Sequence, residues 1–358
     1  MRVRLEDVCE KGSSKLKQSD VIDQNGLYPV YGASGYLGNV NTYQQSNYYV
    51  AVVKDGAGIG RTMLLPPKSS IIGTMQYLIP KDNVLPEYLY YVVKAKHLEK
   101  YFSGATIPHI YFKDYKNEQF DLVSFEEQRE IINRIKKIEI IIDDLSKTLA
   151  LLDELVRARF VEMFGEYETS VKLSRYIKEL RAGKSLAGKT KCKNKVLKTG
   201  AATFGFFDKE QYKYYPIDYV PNPLHKVEDG DVIISRMNTP ELVGSCSYVF
   251  EAPEDMYYPD RLWKTIITED TNPIFLWQLM WQQDIRKQIK ENSFGTSGTM
   301  NNISKVKLLN IKAIDVPLEL QEKYASFVQE IDKSRSRIQK SLEASQELFD
   351  SLMQEYFG

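Results

Sequence analysis

The densest run of a single chemistry in this chain is cationic. Arg181, Lys184, Lys189, Lys191, Lys193, Lys195 and Lys198 lie in a stretch with no carboxylate between Glu179 and Asp208. Gly183, Gly188 and Ser185 within it let the backbone approach a ligand closely. Such a run suits phosphate contacts, which supply affinity for nucleic acid and carry little sequence information. A solvated basic loop is the plainer alternative. Lys15, Lys17, Lys54 and Arg61 are sparser candidates for the same role nearer the N-terminus. Reading bases requires side chains that match groove edges: arginine for guanine, asparagine or glutamine for adenine. Arg236 and Asn238, flanked by an apolar run and Pro240, fit that need, as do Gln76, His109, Asn301 and Asn302. Tyr31 and Tyr36 sit beside glycines and suit packing on a sugar or base. Each of these residues taken singly could instead cap a turn or fill a local core.

Other chemistries lack their parts. Gly56-Ala57-Gly58-Ile59-Gly60 has the glycines of half a nucleotide-binding loop, but neither the helix nor the acidic residue about 20 positions on. Asn272-Pro273-Ile274-Phe275 has isoleucine where the amino-methyltransferase motif has a second proline, and it reads as a helix start. Pro259-Asp260 with Lys264 hints at a nuclease motif without its acid-x-Lys half. There is no P-loop, and His97, His109 and His225 are too few and too scattered for a metal or general-base cluster. We expect no catalytic, cofactor-binding or metal-binding residue in this chain. Cys9, Cys192 and Cys246 are isolated, odd in number and without metal spacing, which suits a reduced, cytoplasmic protein. No apolar run approaches the ~20 residues of a membrane span, and no apolar signal segment opens the chain.

At 358 residues the chain is long enough for two or three domains. Its formal net charge of zero would disfavour nucleic acid if it were uniform, but it is segregated. Residues 1–120 carry net +3 and residues 169–315 net +5, whereas residues 121–168 carry net −5 and residues 316–358 net −3. Basic globular parts alternate with acidic helical ones.

The elements that must position these candidates occur twice. Displaced by 193 residues, Thr106, Ile110, Asn117, Val123, Glu126, Gln128, Phe164 and Gly165 fall on Thr299, Ile303, Asn310, Val316, Glu319, Gln321, Phe357 and Gly358 without a gap. In the first copy Ile131, Ile135, Ile138, Ile142, Leu145, Leu149, Leu152 and Val156 alternate spacings of four and three, the a/d stripe of a coiled coil. The second stripe is Tyr324, Val328, Ile331, Arg335, Ile338, Leu342, Ser345, Phe349, Leu352 and Tyr356, interrupted by Arg335 and Ser345. Ile140, Ile141, Leu151, Phe160 and Val161 lie off the first stripe, which predicts that the paired helices still offer apolar surface to further helices. Ahead of the helices the pattern is mixed α/β. Tyr48–Val53 and Asp231–Ile234 read as strands, and Pro86–Val93 and Pro273–Met280 as helices opened by proline. Val3-Arg4-Leu5 matches Val171-Lys172-Leu173 at an offset of 168, so the second copy holds about 25 extra residues in its middle. The middles align poorly, which predicts a repeated frame around two different reading surfaces. The fold class expected is α+β (mixed α/β): two pseudo-repeated globular domains, each followed by a long helix.

Several patterns recur in order before each heptad helix. They are Tyr28-Pro29-Val30-Tyr31-Gly32-Ala33-Ser34-Gly35, Gly104-Ala105-Thr106-Ile107-Pro108-His109-Ile110 and Phe125-Glu126-Glu127-Gln128 in the first half. Those of the second are Gly230-Asp231-Val232-Ile233-Ile234-Ser235-Arg236-Met237-Asn238-Thr239 and Pro317-Leu318-Glu319-Leu320-Gln321. With them the whole chain resembles the specificity subunit of a type I DNA restriction–modification system. The resemblance implies target-recognition domains over residues 1–125 and 166–318 and conserved helices over 126–165 and 319–358, pairing as an antiparallel coiled coil. It implies that each domain reads one half of a bipartite double-stranded DNA target. It also implies that the helices recruit two methyltransferase (modification) subunits and that restriction (translocase–nuclease) subunits can join. SAM and ATP/Mg would then sit on those partners. Ser34, Thr106 and Thr299 become DNA-contact candidates through these motifs. Two departures stand out. Thr296-Ser297-Gly298-Thr299-Met300-Asn301-Asn302 replaces the Gly-x-Thr-x-Pro form, without its proline and histidine, and Arg335 breaks the second seam.

The reading is therefore a non-catalytic subunit that recognises an asymmetric bipartite DNA sequence. A coiled-coil scaffold that binds only protein would explain the heptads but not the basic domains. A silent copy of a specificity gene would have the same sequence features.

Overall fold

The computed structural model describes residues 1–21, 26–104, 108–295 and 300–358. They form two compact units, Met1–Thr148 with Ile338–Gly358, and Leu149–Arg337. Both expected long helices are present, Phe125–Phe164 and Leu318–Phe357, and each unit takes a stretch of both. The first opens on a capping box: Ser124 Oγ accepts from Glu127 N–H at 3.3 Å while the Glu127 carboxylate accepts from Ser124 N–H at 2.9 Å.

In the first unit, the two helical stretches run antiparallel. Arg134 donates to Tyr356 Oη at 3.1 Å, while Lys94 reaches both Glu139 and the Phe349 ring. Ile131, Ile132, Ile135, Ile138 and Ile142 share a core with Phe349, Met353, Tyr356 and Phe357. In the second unit the sense is again antiparallel. Tyr324 Oη donates to Val156 O at 3.1 Å, and Arg335 pairs with Asp153. The seam-breaking arginine therefore has a carboxylate of the facing helix as its partner. No seam residue of either stripe is exposed. Of the off-seam residues, Ile140, Ile141, Leu151 and Val161 are exposed, but Phe160 is buried against Phe164, Phe275 and Tyr324. The expectation of free apolar surface therefore fails for Phe160, because helix and domain share one core there.

The globular part of the first unit has a four-stranded antiparallel sheet in the order Cys9–Ser13, Met75–Pro80, Tyr49–Val53, Thr62–Leu65. A smaller sheet runs Gly35–Val40, Tyr28–Gly32, Ser70–Ile71, its last pair parallel. The second unit has Ile177–Ala182, Leu262–Ile267, Val232–Ser235, Cys246–Tyr248 in one sheet. Its smaller sheet is Tyr212–Tyr214, Lys195–Leu197, Met256–Tyr257, again with the last pair parallel. Order and sense are the same in both units, so the repeat extends through the middles that align poorly as sequence. The extra residues of the second copy sit in connections. The hairpin turn at Ala33 and Ser34 becomes residues 198–211, and where the first copy has the short turn Leu98–Tyr101 the second has the helix Gln283–Asn292.

Each domain is closed at its base in the same way. Arg2–Arg4 pairs with Gln119–Asp121, and Thr169–Lys172 with Lys312–Ile314. The proline-opened helices are Pro86–Ala95 and Pro273–Met280, with proline at the first turn, where its missing N–H costs nothing. Phe357, ending the second long helix, packs on Tyr88 and Tyr91, and Lys96 Nζ donates to its carbonyl at 2.6 Å. Phe164, ending the first, packs on Phe275 and Tyr324.

Candidate nucleic-acid interface

In the second unit Met237–Asn238 and Asn301–Asn302 form an antiparallel ribbon, pairing Met237 with Asn302 and Asn238 with Asn301. Arg236 is held at its root. Its N–H donates to Arg261 O at 3.0 Å, and its carbonyl accepts from Ile303 N–H at 3.0 Å. Its Nε lies 3.5 Å from Asn302 Oδ1, and its guanidinium stands 5.9 Å from the buried Trp263 ring. Four separately chosen base-reading candidates, Arg236, Asn238, Asn301 and Asn302, are thus brought together. The basic segment adjoins them through Arg261 and its neighbour Asp260. Ser185 Oγ hydrogen-bonds the Asp260 side chain, and Gly183 N–H donates to Pro259 O at 2.9 Å. Tyr215 Oη donates to Lys184 O at 2.9 Å, and Gly188 N–H to Tyr214 O at 2.8 Å. A Cβ at Gly183 would lie 1.8 Å from Tyr258 O, and one at Gly188 2.3 Å from Tyr215 O. The close approach these glycines permit is therefore to the domain itself. They were expected to let the backbone near a ligand; instead they press the basic segment flat as a strap.

The first unit repeats the linkage with other side chains. Lys54 N–H donates to Thr74 O at 3.0 Å, and Lys54 O accepts from Ile110 N–H at 2.9 Å, as Arg236 does from Ile303. Lys54 thus takes the place of Arg236. His109 Nδ1 lies 2.7 Å from Asp55 Oδ1, whose other oxygen is 3.2 Å from Lys54 Nζ. Gly73 N–H donates to Leu16 O at 2.7 Å, which ties the segment bearing exposed Lys15 and Lys17 beside Thr74. Ser34 and Tyr36 are exposed at the hairpin tip, Tyr31 lies 6.2 Å from Tyr36 ring to ring, and Arg61 donates to Ala33 O at 2.8 Å.

A model of the type I restriction modification DNA specificity domain matches residues 1–154. The type I restriction enzyme MjaVIII specificity subunit of Methanocaldococcus jannaschii is 24% identical over 326 residues, 82% of this chain and 76% of that protein. The MjaIX specificity subunit of the same organism is 30% identical over 95 residues, 25% of this chain and 22% of that one. Among solved structures, the type I restriction-modification S subunit of M. genitalium matches with a TM-score of 0.65 at 16% identity, over 100% of this chain and 96% of that one. A chain from a structure concerned with assembly and conformational transition of the type I R-M system matches with a TM-score of 0.54 at 14% identity, over 100% and 97%.

Residues 1–154 thus match the type I DNA specificity domain, and the chain as a whole has the fold of type I S subunits. The remaining candidates divide by what their polar atoms already do. Gln76 is buried, and its Oε1 accepts from Tyr115 Oη at 2.9 Å, so it faces the core rather than a groove. Asn238 Oδ1 accepts from Thr239 N–H at 2.9 Å, and Asn301 Nδ2 donates to Ser293 Oγ at 2.8 Å. Arg236 keeps its terminal nitrogens, and Asn302 its amide nitrogen, without a hydrogen-bond partner among the described residues. Thr106 and Thr299 lie outside the described residues.

Along the strap, Arg181 is held by Glu179 at 2.8 Å, which lowers the pKa of that carboxyl. Lys193 lies 3.6 Å from Asp255, and Lys195 stands 4.8 Å over the Tyr212 ring. Exposed Lys184, Lys189, Lys191 and Lys198 have no carboxylate partner among the described residues. Arg261, also exposed, was missed by sequence reading, and only its neighbour Asp260 was noticed. Lys264 is drawn onto Glu228 and Asp231, the latter at 3.1 Å with Tyr258 Oη as a further donor. Lys264 and Asp231 are buried, so the cluster is a compensated part of the domain interior.

Proposed function

We propose that this chain is a type I specificity subunit and reads an asymmetric bipartite DNA target, one half with each domain. The observation that carries the proposal is the shared main-chain linkage that presents Lys54, Asp55 and His109 in one unit and Arg236, Asn301 and Asn302 in the other. The same frame with different side chains is what two different half-sites require. Phosphate contacts are assigned to Lys184, Lys189, Lys191 and Arg261 in the second domain and to Lys15 and Lys17 in the first. Base contacts are assigned foremost to Arg236 and Asn302, with His109 the counterpart in the first domain.

In this reading the chain performs no covalent step. The methyltransferase subunits, two per complex, and the restriction subunits supply the chemistry together with SAM and ATP/Mg, and the paired helices recruit them and set the spacer between half-sites. The exposed off-seam residues Ile140, Ile141, Leu151 and Val161 suit contact with partner helices. No helix among the described residues is long and apolar enough to cross a membrane.

The test is modification-sensitive sequencing of the host genome with and without this gene. Loss of one methylated motif made of two short half-sites around a fixed gap is the expected result. An unchanged methylome, from a host in which the protein is expressed and co-purifies with a methyltransferase, would overturn the reading.

A further inference from the structure

The two units hold hollows at equivalent places, and both carry charge. The second is lined by Arg157, Lys209 and Arg335 as well as carboxylates. Only in the first does the long-helix carboxylate facing the proline-opened helix have an ion-pair partner among the described residues. In the first unit the hollow lies against Tyr90 and Tyr91 of the proline-opened helix, the strand Thr62–Leu65 and Glu139 of the first long helix. Glu139 is satisfied from within. Tyr91 Oη donates to it at 2.6 Å, and Lys94 Nζ lies 3.4 Å away while standing 5.5 Å over the Tyr90 ring and 5.0 Å over the Phe349 ring. An ammonium between a carboxylate and two aromatic faces is a favourable cation site.

The second unit has a cavity of about 470 Å³ there, lined by Tyr248, Phe250, Trp277, Trp281, Asp332 and the added loop at Phe204–Phe207, among others. With Pro86 set on Pro273, Tyr90 falls on Trp277, Tyr91 on Gln278 and Lys94 on Trp281. In the register of the long helices, Glu139 falls on Asp332. The carboxylate and the aromatic face are kept, but the phenol and the ammonium are replaced by Gln278 and by Trp281, whose indole N–H donates to Cys246 O at 3.0 Å instead. Asp332 has no hydrogen bond or ion pair among the described residues, and burial pushes its carboxyl above the usual range despite Arg335 nearby. Arg335 itself is engaged by Asp153. Phe204 and Phe206 of the added loop remain exposed at this cavity.

We propose that this cavity binds a primary alkylammonium group on an apolar stem, the chemistry of a lysine side chain or a polyamine. The ammonium takes the place Lys94 fills in the first unit. It pairs with Asp332 and lies against the Trp277 ring, while Phe206 and Phe250 cover its stem. A half-buried carboxylate without a partner is unfavourable, so the second unit gains when such a group enters.

The purified full chain is titrated with n-butylammonium, with n-butanol as the neutral control, and tryptophan fluorescence and melting temperature are read. Saturable binding is expected for the ammonium only. Asp332→Asn, which keeps the shape, should weaken it by about an order of magnitude. Trp281→Lys, which restores the residue of the first unit, should abolish the response and leave the melting temperature equal or higher. Equal responses to butylammonium and butanol, or an unchanged affinity in Asp332→Asn, would overturn the proposal. Spermidine saturating at much lower concentration than Nα-acetyl-lysine methylamide would assign the site to a free polyamine, and the reverse order to a lysine of a partner protein.

Discussion

Gln128 and Gln321 occupy the same turn of the two long helices, are both fully buried, and make the same set of hydrogen bonds. Gln128 Oε1 accepts from Leu85 N–H at 2.8 Å, and its Nε2 donates to Val123 O at 3.0 Å. Gln321 Oε1 accepts from Asn272 N–H at 2.9 Å, and its Nε2 donates to Val316 O at 2.7 Å. Leu85 and Asn272 are the residues that cap the proline-opened helices. One amide therefore ties each long helix to the helix of its own domain. Replacing Gln321 with Leu leaves a buried N–H and a buried carbonyl unpaired, which should cost about 2–4 kcal/mol in urea unfolding. Gln128→Leu should cost a similar amount. A loss under about 0.5 kcal/mol in both would mean that water or a shifted neighbour replaces the amide.

Lys189 and Lys191 lie exposed on the strap without a carboxylate partner among the described residues, whereas Lys193 lies near Asp255. Lys189→Ala and Lys191→Ala should weaken binding to any duplex about equally. Each should lower the slope of log affinity against log salt by about 0.9. Lys193→Ala should do less. Loss confined to one sequence, measured by fluorescence anisotropy at several salt concentrations, would assign these lysines to bases instead.

Arg236 is anchored through both its backbone groups and one side-chain nitrogen, so its terminal nitrogens, unpaired among the described residues, are presented with little loss of entropy. Arg236→Ala should cost about 1–3 kcal/mol at one position of one half-site and relax preference there. The other half-site should be read as before. Competition binding with single-base variants of the methylated motif checks this, and a uniform loss at every position would make Arg236 a phosphate contact.

His225 lies beside the strap, and burial, then the charges of Arg181 and Lys184, lower its pKa below the usual histidine value. A histidine depressed in the folded state favours the fold above its unfolded pKa, and that contribution is lost as pH falls from about 6.5 through the lower folded value. The melting temperature of the wild type should therefore fall more between pH 7 and pH 5 than that of His225→Gln. Phosphate near Arg181 and Lys184 would relieve their repulsion, so DNA binding near pH 6 should take up a proton. Calorimetry in two buffers of different ionisation enthalpy measures that uptake, which His225→Gln should abolish.

Removing one heptad from both long helices shortens each by about 10 Å. If the helices set the spacer, the methylated motif should lose about three base pairs from its gap while its half-sites stay the same, because B-DNA rises about 3.4 Å per pair. Sequencing the methylome of a strain carrying the shortened gene checks this, and an unchanged gap would remove the helices from that role.

The long helices, their heptad seams and the proline-opened helices are legible in the sequence because each is written in local periodicity and local punctuation. The repeat is legible because Gln128, Phe164 and Gly165 recur at one offset as Gln321, Phe357 and Gly358. Tertiary structure alone decided what could be assigned at the site. Arg236 and Asn302 are 66 residues apart and meet only because one ribbon pairs their segments. Gln76 and Asn302 are equally polar as letters, yet one is turned into the core by Tyr115 and the other is left half-exposed on the ribbon. Side-chain type fixes which contacts are chemically open to a residue. Which face of a sheet it occupies, and whether a neighbour has already used its donors, depends on segments distant in the chain.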